Sequence, residues 1–215
     1  MKNELLVRLA VIAGLLNIAA TGTVLLGRPD LAVRESAEKL FVVAVDLEKE
    51  GKVDDAEKIY RDIFYNMSPT LIAPRAGLRL ADIYRRSKFD VEGARAILQE
   101  VAAYKESAYA ENARKDLEFI EKHWNGDGAA LTLWYKASAA YRRGKFDEAI
   151  GHLTAITRDH PDASLKSMAM LWTAKVYERM RRMADAATAA RQFLDQFPAD
   201  AQADEARRII RVAGR

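Results

Sequence analysis

The sequence contains no cysteine. That absence excludes disulfide bridges, thiolate metal sites, a cysteine nucleophile and an acylated lipoprotein cysteine together. Only five prolines and eleven glycines interrupt 215 residues, and no run of alternating β-branched residues argues for strands. The three histidines, His123, His152 and His160, are not spaced as a metal pair. Glycine-rich phosphate loops and the G-x-S-x-G nucleophile motif are missing as well. The expectation is a chain without catalytic residues, metal or cofactor: no enzyme.

An excess of one charge is also lacking. Against 34 basic residues stand 31 acidic ones, a formal net charge of +3, so nucleic-acid binding is not implied. What excess there is lies after residue 124, where 15 basic side chains face 11 acidic ones. What the chain does have is apolar surface, at 50% of its residues, and an abundance of Ala, Leu, Arg, Glu and Lys. That composition favours an all-α fold.

Leu9 to Gly27, "LAVIAGLLNIAATGTVLLG", is a run of 19 uncharged positions. At about 1.5 Å per residue a helix of that length nearly spans a hydrocarbon core of roughly 30 Å. Residues 1–30 therefore read as an N-terminal transmembrane anchor or as a cleaved signal peptide, for which Ile18-Ala19-Ala20 offers small residues. Lys2 and Arg8 precede the run, which orients the N-terminus toward the cytoplasm and the body toward the periplasm. Asn17 is polar enough to hydrogen-bond a neighbouring membrane helix.

Beyond the run the chain repeats itself. "GKVDDAE" at Gly51 returns as "GKFDEAI" at Gly144, an offset of 93, and the same offset carries Leu40 to Leu133, Ala56 to Ala149, Tyr84 to Tyr177 and Ala94 to Ala187. Within the second copy Ala149 and Pro161 recur 37 residues on as Ala186 and Pro198. A period of this size means helical hairpins. The periodicity predicts helices over 31–50, 53–66, 71–87, 90–104 and 107–124, then over 129–143, 146–159, 164–181, 184–196 and 200–213. Two units result, 31–124 and 129–215, each of two hairpins and a closing helix. The glycines of Asn125 to Gly128 mark the linker 125–128.

The alanine and proline spacing resembles the tetratricopeptide repeat family. Ala137, Ala140, Ala149, Leu153, Ile156 and Pro161 fit one copy, and Ala174, Tyr177, Ala186, Ala190, Phe193 and Pro198 the next. The copy from Ala37 fits with Leu40, Ala44, Ala56, Tyr60, Ile63 and a late Pro69, while the copy from Pro74 has Gly93 where alanine is usual and Lys105 in place of proline. The resemblance implies an α-solenoid that binds proteins. With 37-residue spacing and an N-terminal anchor it is similar to the long-repeat type of the bacterial cell envelope.

Candidate binding residues are the dibasic pairs Arg85-Arg86, Arg142-Arg143 and Arg181-Arg182 at the ends of first helices, where cations also suit the helix dipole. Tyr135 and Tyr141 are candidates for the inner surface, where such repeats hold peptides; core packing is the competing explanation. The acids Asp54, Asp55, Asp147 and Glu148 recur at first turns and read as dipole partners rather than as a catalytic pair. The expected function is a membrane-anchored scaffold or adaptor, an accessory or assembly subunit of a multisubunit inner-membrane complex. The alternative is a chaperone-like holdase or ancillary factor at a secretion translocon. Partners are proteins, and the membrane through the first helix.

Overall fold

The computed structural model describes residues 29–67, 70–104, 107–124, 126 and 128–214. Its described residues are helical throughout: α1 (Pro29–Lys49), α2 (Val53–Asn66), α3 (Ala73–Ile83), α4 (Val91–Ala102), α5 (Ala108–His123), α6 (Ala129–Arg142), α7 (Phe146–Asp159), α8 (Lys166–Arg179), α9 (Met183–Gln196) and α10 (Ala203–Ala213). A π-helical turn, Tyr84–Lys88, extends α3. Among the described residues no helix is long and apolar enough to cross a membrane. The anchor segment with Asn17, and Pro69, Lys105 and Asn125, lie outside the described residues.

Each hairpin's second helix buries the same three positions. In α2 they are Ala56, Tyr60 and Ile63; in α4, Ala94, Leu98 and Val101; in α7, Ala149, Leu153 and Ile156; in α9, Ala186, Ala190 and Phe193, all without exposed surface. Residues separated by four and then three positions stack on one helical stripe, and the alanine lets the facing helix approach closely. The repeat seen in the sequence is thus a repeat of burial.

The hairpin joints repeat too. The amides of Lys52, Lys145 and Arg182 donate to the carbonyls of Leu47, Ala140 and Tyr177, five residues back, at 2.9, 3.0 and 3.0 Å. The residue before each is left-handed: Gly51 at φ 78°, Gly144 at φ 73° and Arg181 at φ 60°. This is the closing hydrogen bond of a left-handed helix end, for which glycine is the least strained residue.

The joint after α3 differs by one residue. There Phe89 is left-handed, at φ 59°, and the Asp90 amide reaches the Tyr84 carbonyl, six residues back, at 2.9 Å. The π turn absorbs the extra residue. As a result the frame shifts: Ala94 donates to Asp90 at 3.1 Å as Ala186 donates to Arg182 at 3.0 Å. Ala94, not Gly93, is therefore the crossing alanine of this hairpin, and it corresponds to Ala186 rather than Ala187. Gly93 instead donates its amide to the Asp90 carboxylate at 2.8 Å, and a Cβ there would meet Tyr84 Cδ1 at 2.6 Å.

The described residues form two compact units, one with those up to Leu80 and Glu100–Ala113, the other with Ala81–Gln99 and those from Arg114 onward. In the first, Phe41 and Tyr60 pack with ring centres 5.4 Å apart, and Arg75 lies over Phe41 at 4.3 Å. The Tyr60 hydroxyl donates to Glu48 at 2.7 Å, and burial together with that carboxylate raises its pKa. Gly77 on α3 meets Phe64 and Val101 so closely that no Cβ fits.

In the second unit α6, α7, α8, α9 and α10 each pack on the next, and α10 also touches α8. Leu171, Ala174, Ala186, Ala190, Phe193, Ala206 and Ile209 form one continuous core under α10. The Arg208 guanidinium donates to both oxygens of Glu178, at 2.8 and 2.7 Å, and so ties α10 to α8. Arg208 is therefore half-buried, while Arg207 and Arg211 on the same helix are exposed.

Candidate protein-binding surface

The π turn separates the first dibasic pair. Arg85 turns inward and is 5% exposed, whereas Arg86 points to solvent. Arg85 Nε donates to Asp82 Oδ1 at 2.8 Å, its Nη2 donates to Asp116 Oδ2 at 2.7 Å, and its guanidinium lies 5.9 Å from the centre of the Tyr135 ring. Burial opposes its charge, but the hydrogen bond to Asp116 and the charges of both aspartates outweigh it and raise its pKa. Arg85 is a tie between α3, α5 and α6. Tyr135, beneath it, is 7% exposed, and burial raises its pKa.

Arg86 and the second pair come together. Helix α6 packs against the π turn, which sets Arg142 at the end of α6 near Arg86. Burial and then the like charge of Arg86 lower the pKa of Arg142. Arg86 is neutralised in part by Asp82 at 3.3 Å, and Arg143 loosely by Glu148 at 3.7 Å. Among the described residues Arg142 makes no ion pair.

The third pair lies at the joint between α8 and α9. Arg181 is exposed in the left-handed conformation, and Arg182 bridges Asp185 at 2.7 Å and Asp147 at 3.5 Å while lying over Tyr177 at 4.8 Å. It is held in place by its own unit rather than free to reorient.

Beside Arg142 runs a half-buried aromatic face. Trp134 and Tyr141 are seven residues apart on α6 and so share one stripe, and Trp172 of α8 lies over them with ring centres 4.6 and 6.0 Å away. Phe119 of α5 and Phe146 of α7 extend the cluster, 6.4 Å from Trp134 and 5.4 Å from Tyr141. Among the described residues neither indole N–H nor the Tyr141 hydroxyl has a hydrogen-bond partner, and none of the three is buried out of solvent. The spacing of seven between Trp134 and Tyr141 was the signal of this face in the sequence, whereas Tyr135 follows the buried stripe of Leu131 and Ala139.

The histidines play separate parts. His123 ends α5, 6% exposed and packed on Phe119 at 4.7 Å. Ser164 donates to the Lys122 carbonyl at 3.3 Å, so His123 Nδ1 donates to the Ser164 hydroxyl, at 2.7 Å. Burial, then the Lys122 charge, lower its pKa and keep it neutral. His152 stands 3.9 Å from Glu148, and His160 caps the end of α7.

Residues 135–201, from α6 into the loop before α10, match the tetratricopeptide repeat model. No curated protein matches the chain. The matched stretch contains Tyr141, Arg142, Arg143, Trp172 and the third dibasic pair. Repeats of this kind generally mediate protein–protein contact.

Proposed function

We propose that this protein is a helical-repeat scaffold or adaptor of the bacterial cell envelope, tethered to the inner membrane through residues 9–27 with its repeats in the periplasm. Its role is that of an accessory or assembly subunit of a multisubunit membrane complex. The observation that carries the binding role is the first-helix side of α6 and α8. There aromatic donors without a hydrogen-bond partner among the described residues adjoin Arg142, which makes no ion pair among them, on hairpins that match a protein-binding repeat. Preformed helices lose little freedom on binding, so such a surface binds without large reorganisation.

The tether rests on the uncharged run and its flanking Lys2 and Arg8. The duplicated organisation, 31–124 and 129–215, rests on the offset of 93. The test is affinity purification of the tagged full chain from gently solubilised membranes, followed by mass spectrometry. A defined membrane complex recovered in stoichiometric amount is the expected result. Recovery from the soluble fraction alone would remove the tether. Suppression of aggregation of unrelated unfolded proteins, without a stable partner, would favour a holdase at a secretion translocon.

A further inference from the structure

The structure points to the chemistry of the partner. We infer that the face formed by Trp134, Tyr141 and Trp172, with Arg86, Arg142 and Arg143 at its end, binds an acidic, extended segment of another protein. This rests on the protein-binding reading above and adds to it the kind of chain that is bound.

Three features select that occupant. On α6, Trp134, Tyr141 and Arg142 fall within one arc of about 100° at the helical angle per residue, so a ligand lying along the helix meets rings first and guanidinium last. The free indole and phenol donors offer hydrogen bonds to backbone carbonyls, which an extended peptide exposes and a helix does not. Arg142 has Arg86 and Arg143 as like-charged neighbours, offset only in part by Asp82, and among the described residues it makes no ion pair, so an arriving carboxylate relieves repulsion as well as forming one.

An anionic bilayer is a poorer match. Asp82 and Glu148 stand among these arginines and repel a continuous negative surface. An extended segment presents a narrow line of charge rather than a continuous surface.

The test is fluorescence anisotropy of the full chain in detergent with a labelled peptide of alternating glutamate and leucine. The wild type is expected to bind it. R142A and W134A should each weaken binding about tenfold, as central contacts of an interface do, with unchanged circular dichroism. Replacing glutamate by glutamine should weaken it likewise. R207A, on α10 and away from the aromatic face, should leave it unaltered. Absence of wild-type binding, or equal binding by R142A, would overturn the inference. So would Arg142-dependent binding to phosphatidylglycerol vesicles without binding to the peptide. If membrane purification still recovers a partner in any of these cases, the scaffold reading stands and only the acidic-segment assignment fails.

Discussion

Arg85 Nη2 donates to Asp116 Oδ2 at 2.7 Å, across 31 positions of sequence, with only 6% of the Arg85 side chain exposed. One buried cation thus joins α3 to α5 while its neighbour Arg86 stays at the surface. The two members of a dibasic pair have different tasks.

This difference is measurable. Arg85→Ala should cost about 2–3 kcal/mol, because it leaves the Asp82 and Asp116 carboxylates facing each other without their shared cation. Arg86→Ala should stay within about 0.5 kcal/mol, as exposed pairs do. Urea denaturation of the two variants decides it, and equal midpoints would refute the division of roles.

Two glycines should answer oppositely to alanine. A Cβ on Gly77 would press on the Phe64 ring at 2.8 Å and on Val101. Both neighbours are buried, so Gly77→Ala should destabilise by about 1–3 kcal/mol despite the better helix former. A Cβ on Gly151, exposed within α7, would meet nothing within 4 Å. Gly151→Ala should stabilise by about 0.5–1 kcal/mol, read from the thermal midpoint.

Arg181 occupies the joint position that Gly51 and Gly144 hold elsewhere, with φ at 60°. A side chain in that conformation is strained by roughly 1–2 kcal/mol. Arg181→Gly should therefore raise stability by about 0.5–1 kcal/mol after the added freedom of the unfolded glycine. A lowered midpoint in chemical denaturation would mean that the arginine side chain holds the joint.

His123 makes stability depend on pH. Its folded pKa lies below the ordinary 6.5, so the unfolded chain binds the proton more readily. The contribution of neutral His123 is whole above pH 6.5 and is lost as pH falls through the folded value. Denaturation midpoints compared near pH 7 and near pH 5 should fall more for the wild type than for His123→Asn. Parallel declines would show that carboxylates alone set the acid limit.

The helices, their joints and the buried stripes were legible in the sequence. Burial spaced by four and three residues, acids in first turns and glycine at left-handed joints are local rules. They hold wherever a chain folds into short hairpins, so Gly51, Ala56, Gly144 and Ala149 declare themselves without any knowledge of neighbours. Three things were decided by tertiary structure. The π turn moved the frame by one residue, making Ala94 the crossing alanine and turning Arg85 rather than Arg86 inward, because only the packed hairpin shows where an extra residue is absorbed. His123, at a helix end that looks polar, was buried by Phe119 and by Ser164, 41 positions away. Trp134 and Tyr141 became a face with free donors because α8 set Trp172 over them and left their polar edges to solvent. Spacing along one helix states which residues share a stripe, but a second helix determines whether that stripe is closed or open.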